Sequence, residues 1–320
     1  MQKTFFAFFV FTTLIICPAL FSHDDADVSP VLKYGFIDKT GNIVIKAKYM
    51  GAMDFHDGLA LVVIRSKCGF IDKTGKIIIK PQFYENGADD FSEGIAAVKY
   101  SVEGMWGYID KSGVMKIKPQ FDSASGFHEG LAAVSINGRY GYIDKTGAMK
   151  ITLQSGKGDD FHEGLARVLV DNKYGYIDKA GKMIIKPKFD YVSNDTPGDF
   201  SDGLAAVGMN GKCGYIDKTG KIIIKPQFYN AGDFSEDLAA VSTGEGWGYI
   251  DKTGNMVIKA KFYEAEGFSE GLAAVGANIA QWGYIDKTGK MTIKPQFIGA
   301  EDFSEGFALI VLEGTIDDFD

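Results

Sequence analysis

One heptapeptide, Gly-Tyr-Ile-Asp-Lys-Thr-Gly, governs what this chain can fold into. It stands whole at Gly141–Gly147, Gly214–Gly220, Gly248–Gly254 and Gly283–Gly289, and near copies begin at Gly35, Gly69, Gly107 and Gly175. The leading glycines are 34, 38, 34, 34, 39, 34 and 35 residues apart. Self-similarity at such a period marks a repeat architecture, in which each unit buries its apolar face against its neighbours. The 40 glycines fall largely at fixed repeat positions, so they read as turn chemistry rather than low complexity.

Each unit reads as three strands. The first is Tyr-Gly-Tyr-Ile-Asp, as at Tyr140–Asp144. The turn Asp-Lys-Thr-Gly follows: its Asp accepts backbone hydrogen bonds and its Gly supplies a positive φ, which predicts a hairpin with a glycine bulge. The second strand, such as Ile77–Lys80, runs into Pro-Gln-Phe at Pro81, Pro119, Pro226 and Pro295, where proline ends the strand or marks an edge. A connection then leads to Phe-Ser-Glu-Gly or Phe-His-Glu-Gly. Its Phe recurs at Phe55, Phe91, Phe127, Phe161, Phe200, Phe234, Phe268 and Phe303 and is the expected interlocking core residue. The third strand, as at Leu131–Val134, carries an Ala in every unit, which implies close packing from a neighbour, and Asn137-Gly138 and Asn210-Gly211 turn it back.

The chain begins with a first–second strand pair and ends with a lone third strand. Pairing Phe307–Leu312 with Tyr34–Asp38 completes an eighth sheet. The fold class is therefore all-β, with eight three-stranded antiparallel repeats of about 34 residues. A closed propeller-like toroid is favoured over an open β-solenoid or hairpin array, because closure removes both exposed edges. Three strands is thin for a propeller repeat, which usually runs to about 40–50 residues. Gly314-Thr315-Ile316-Asp317 also reads as a decayed ninth first strand.

Trp106-Gly107-Tyr108-Ile109-Asp110-Lys111, Ile224-Lys225-Pro226-Gln227-Phe228 and Phe268-Ser269-Glu270-Gly271-Leu272-Ala273 resemble the bacterial WG (KWG) β-repeat family. The resemblance spans roughly residues 33–313, although only three copies keep the Trp. It implies β-rich repeats in bacterial, often exported, proteins and brings no catalytic motif.

Residues 1–22 are of another kind. Lys3 precedes the apolar run Phe5–Ile16, with small Ala19 and Ser22 after it and Asp24, Asp25 and Asp27 beyond. This is the layout of a secretory signal peptide, too short for a comfortable membrane span. Cys17 follows only a faint lipoprotein-type box, since Ile16 is bulky where a small residue is needed. The expected organisation is a signal peptide over 1–22, a linker over 23–32, one repeat domain over 33–313 and an acidic tail over 314–320. Export places the protein in the periplasm, at the cell surface or outside the cell. Without residues 1–22, which hold Lys3 and no acid, the net charge moves from −8 to near −9. That disfavours non-specific nucleic-acid binding, and no later segment is apolar enough to span a membrane.

Candidate chemistry is sparse. Cys68 and Cys213 share the slot before the leading glycine, where other repeats carry Tyr or Trp, so they read as buried substitutes four repeats apart and unbridged. The turn acids Asp38, Asp72, Asp110, Asp144, Asp178, Asp217, Asp251 and Asp286 supply one carboxylate per turn, against the six to eight oxygens calcium wants, and read as turn caps. The acids after the core Phe, from Asp57 and Glu93 to Glu305, recur in all eight units and lack the singularity that catalysis needs. His56, His128 and His162 replace the Ser of Phe-Ser-Glu-Gly and read as surface substitutions. No catalytic, cofactor-binding or metal-binding residue is assigned. Departures from the repeat, at Thr152–Gly158, at Tyr191–Pro197 and in the turns Tyr100–Met105, Thr243–Gly246 and Ala277–Gln281, mark candidate binding loops or simple drift. The expected function is an exported, non-enzymatic binding or scaffold module for a protein or glycan. A glycan-processing enzyme and a purely structural envelope component are the alternatives.

Overall fold

The computed structural model describes residues 31–190 and 198–314; the expected signal peptide, Cys17, the insertion Tyr191–Pro197 and the tail beyond Gly314 lie outside them. Eight small antiparallel sheets form a ring, an eight-bladed β-propeller, with no helix among the described residues. The strand Val31–Asp38 pairs with Phe307–Gly314 in continuous register, from Val31↔Gly314 to Asp38↔Phe307. The first and last strands thus share one sheet, and the ring closes as the favoured reading requires.

The blades differ from the expected three strands. The segment read as a connection before the core Phe is a fourth strand in six sheets: Gly51–His56 pairs with Leu59–Ile64, for example, and Ser123–Ala124 and Asn230–Ala231 are short versions. In the other two blades it shrinks to single bridges, Ala88↔Val98 and Asp190↔Gly208 among them. This added strand is innermost, for Gly299–Ser304 packs against both Gly51–His56 and Glu264–Ser269 of the adjoining blades. Sequence periodicity hid it because its residues are small or acidic rather than alternately apolar.

The predicted turn forms as expected. Asp38 Oδ1 accepts from the Thr40 N–H at 2.9 Å, the Thr40 hydroxyl at 2.6 Å and the Asn42 N–H at 3.1 Å. Gly41 takes the left-handed φ of 86° that closes the turn. The leading glycine has a different reason: a Cβ on Gly69 would lie 2.6 Å from the Ile79 carbonyl and 2.7 Å from the Pro81 nitrogen, where the outer strand bulges over it. Only glycine admits that approach.

The core lies between blades. Each repeated Phe is at most 1% exposed, and its ring meets the aromatic of the preceding repeat's Gly-Tyr-Ile-Asp. Tyr142–Phe161 and Tyr215–Phe234 have centroids 4.8 Å apart, and Phe36–Phe55 repeats the contact at the closure. The tyrosine hydroxyl reaches on to an inner-strand carbonyl of the next blade, as Tyr142 donates to Asp159 O at 2.7 Å. Such ring pairs add about 0.5–1.5 kcal/mol beyond their buried area. Cys68 and Cys213 are buried and unbridged, and burial pushes the Cys68 thiol up to about 12.

Candidate binding site in the central cavity

The hairpin joining the innermost strand to the next places an acid where side chains rarely go. Asp57, Glu93, Glu129, Glu163, Asp202, Glu236, Glu270 and Glu305 all have φ between 50° and 55°. Each carboxylate accepts a backbone N–H from the next blade's equivalent turn: Glu129 from Gly164 at 3.1 Å, Asp202 from Asp237 at 2.7 Å, Glu305 across the closure from Gly58 at 3.0 Å. The turn lysine of the next blade completes the latch, as Lys179 bonds the Glu129 carbonyl at 3.0 Å and its carboxylate at 2.8 Å. Burial alone would raise Glu129, but Lys179 and Gly164 hold it below the usual range. These acids are structural, as the sequence suggested, and they rim the centre of the ring.

Inside that rim lies a cavity of about 1000 Å³ lined by the inner strands. Its acids were not singled out in the sequence. Asp54, Asp90, Asp160, Asp199, Asp233 and Asp302 directly precede the core Phe, while Asp89, Asp159, Glu266 and Glu301 stand two residues before it. Asp159, Asp199, Asp233, Glu266 and Asp302 face the cavity. The available signal was this density of acids on the N-terminal side of one Phe, which gains meaning only once the segment is known to be a strand at the centre.

Burial raises several of these carboxyls: Asp54 to about 7, despite a backbone hydrogen bond to Leu309, and Asp89 to about 6, with Asp160 adding to the effect. Asp90, Glu301 and Asp302 are driven well up by burial and then by nearby acids, Asp89 and Asp54 for Asp90, and Asp54 and Glu266 for the other two. Among the described residues no group of three or more His, Cys, Asp or Glu is arranged to hold a metal ion.

One side of the cavity departs from the repeat. Arg167 stands where other units carry Ala or Leu, and it is 6% exposed. Its Nε donates to Asp159 Oδ2 at 2.9 Å, its Nη1 lies 4.0 Å from Asp199 Oδ1, and its guanidinium sits over the Tyr174 ring at 5.7 Å. Burial disfavours its charge, but Asp159 and Asp199 outweigh burial and keep it cationic. His128 and His162 also face the cavity, their rings 5.1 Å apart, each 3.6 Å from an Asp of the next blade, Asp160 and Asp199. The expectation of scattered surface substitutions is corrected here, because the closed ring brings these two together at its centre. His56 stands apart from that pair, 3.8 Å from Asp90. At this position Ser92, Ser235, Ser269 and Ser304 instead donate to the next blade's core Phe carbonyl. The variable loops Tyr100–Met105, Thr243–Gly246 and Ala277–Gln281 join the Ala-bearing strand of each blade to the Tyr-Gly-Tyr-Ile-Asp-type strand beside it and do not line the cavity.

The repeat unit itself matches a known family, described as WG containing repeat, at residues 34–68, 69–101, 106–140, 140–174, 174–213, 214–246, 247–278 and 282–315. The chain belongs to the WG-repeat family. No curated protein sequence matches this WG-repeat chain. Among solved structures it is similar to BamB from Moraxella catarrhalis, with a TM-score of 0.54 and 12% identity over 82% of this chain and 98% of that one. It is also similar to a eukaryotic initiation factor, with a TM-score of 0.56 and 10% identity over 85% and 87% of the two chains. At such identities the likeness is one of fold. No helix among the described residues is long and apolar enough to cross a membrane.

Proposed function

We propose that this WG-repeat propeller is an exported, non-enzymatic binding or scaffold module that engages a protein or glycan at its central cavity. The observation that carries this reading is the cavity's departure from the repeat: Arg167, His128 and His162 converge there, at positions where other units carry Ala or Leu and, His56 apart, Ser. A cavity of about 1000 Å³ lies within the usual range for ligand sites. The signal-like N-terminus supports export.

A plug variant tests the site. Gly267 lines the cavity without a left-handed φ, and a Cβ there meets nothing closer than 3.7 Å, so Gly267→Tyr introduces a ring without backbone strain. Envelope extracts and a glycan array should show ligands for the mature protein that the folded plug variant loses. Equal retention by both proteins would move the site elsewhere. The raised carboxyls Asp54 and Asp89 favour one second reading, a glycan-processing enzyme, because acids held near neutrality suit proton transfer. Turnover of envelope glycans, abolished by Asp54→Asn, would establish it over simple binding.

A further inference from the structure

We infer that the outer circumference of the ring docks on a membrane surface rich in anionic lipid, with the propeller standing on edge. This goes beyond the central cavity and does not depend on it.

The outermost strand of each blade is unusual for a chain of net charge −8. From Ile43–Tyr49 to Met291–Phe297, every one carries lysine and none carries aspartate or glutamate. The same strands hold most of the exposed large apolar side chains among the described residues. The pairs Ile43-Val44, Ile77-Ile78 and Ile222-Ile223 are each 40–50% exposed. Alternation along the strand puts the two kinds on one side: Val44, Lys46 and Lys48 are exposed, whereas Ile45 and Tyr49 are buried. Ile78 with Lys80, Ile184 with Lys186, Ile223 with Lys225 and Val257 with Lys259 repeat the arrangement. None of these lysines forms an ion pair with a described residue. On two other blades Lys116 and Lys150 reach the turn acids Asp110 at 2.9 Å and Asp144 at 3.7 Å.

The plain alternative is protection of an exposed sheet edge, for which lysine and proline suffice. It accounts for the ammonium groups and for Pro81 and Pro226. It does not account for half-exposed Ile and Val beside each lysine, which make such an edge more adhesive. A soluble polyanion is likewise met by lysine alone. Ammonium groups next to aliphatic tips match a surface charged outside and apolar just beneath, the headgroup region of a bilayer. The acids of the innermost strands lie three strand spacings away, about 14 Å, beyond the screening length of about 8 Å at physiological salt. Nearer acids such as Asp72 and Asp217 are engaged by the N–H and hydroxyl groups of their own turns.

The test is co-sedimentation of the mature protein with vesicles of phosphatidylcholine alone and of an equal mixture with phosphatidylglycerol. Wild type should bind the anionic vesicles, lose most of that binding in high salt, and ignore the neutral ones. A lysine variant combines Lys46→Gln, Lys80→Gln, Lys186→Gln, Lys225→Gln and Lys259→Gln. It should melt like wild type and bind about tenfold more weakly or worse. An aliphatic variant combines Val44→Thr, Ile78→Thr, Ile184→Thr, Ile223→Thr and Val257→Thr, a residue that Thr292 already supplies at this place in another blade. It should bind severalfold more weakly. Gly267→Tyr, which fills the cavity, should bind vesicles as wild type does. No binding to anionic vesicles, or equal binding by wild type and the lysine variant, overturns the inference. Full binding by the aliphatic variant also overturns it, by assigning the lysines to a soluble polyanion. Loss of vesicle binding in Gly267→Tyr would do the same, by moving the contact to the cavity.

Discussion

Replacing Phe127 by Ala removes a fully buried ring and its 5.0 Å partner contact with Tyr108 of the preceding blade. The expected loss is about 3–5 kcal/mol. The adjacent His128→Ser should cost far less, because Ser92 and Ser235 occupy the same place in other blades and bond the next Phe carbonyl. Urea melts of the two variants check this; equal losses would mean the inter-blade contact is not the main source of stability. Arg167→Ala should cost about 1–3 kcal/mol at neutral pH, since it removes the partner of Asp159 and leaves Asp199 with His162. Urea melts of the variant beside wild type would show it, and no measurable loss would mean that Arg167 does not hold these blades together. The Phe was legible in the sequence because an apolar residue fixed in eight copies has few uses besides a core. Arg167 was visible as a departure from Ala. Its meaning was not, because only the fourth strand and the closed ring bring it to Asp199 of the next repeat.

At the scale of the element, the innermost hairpin is the feature that sequence reasoning missed, and its turn shows how neighbouring blades are latched. A left-handed Glu costs about 1–2 kcal/mol relative to Gly, yet Glu163 has φ of 50° and accepts the Gly203 N–H at 3.1 Å while Lys218 bonds its carbonyl at 2.9 Å. The strain is held because the side chain joins two blades. Glu163→Ala keeps the strain and loses the bond, so it should cost about 1–2 kcal/mol. Glu163→Gly loses the same bond but relaxes the backbone, and should cost about 1 kcal/mol less than Ala. Thermal melts that rank Ala above Gly would show that the backbone is indifferent there and that the latch has another origin. The Asp-Lys-Thr-Gly turn, by contrast, was readable in full, since all of its partners lie within four residues.

For the whole molecule, closure and pH dependence are linked by where the charge sits. The strand pairing Val31–Asp38 with Phe307–Gly314 was legible because the chain's two ends each lacked what the other carried. The acid-lined interior was not, since charge density at the centre appears only when eight inner strands converge. Its consequence for stability has a definite sign. Asp54 titrates near 3.8 when unfolded and about 7 in the fold, and Asp89 near 3.8 and about 6. Between those values the folded state binds more protons, so stability is full below the unfolded value and falls as pH rises through the folded one. The turn acids behave oppositely. Hydrogen bonds from Thr40 and Thr74 hold Asp38 and Asp72 low, so their contribution is present above 3.8 and lost only in stronger acid. His56, which burial lowers, also favours higher pH, but it is one group against several carboxyls. The melting temperature should therefore be higher at about pH 5 than at about pH 8, the reverse of a protein governed by its salt bridges. Asp54→Asn with Asp302→Asn should raise the melt at about pH 8 and flatten the profile, because the amides carry no charge to bury. A wild-type melt that rises steadily from about pH 5 to about pH 8 would show that the central carboxyls are not held protonated by the fold.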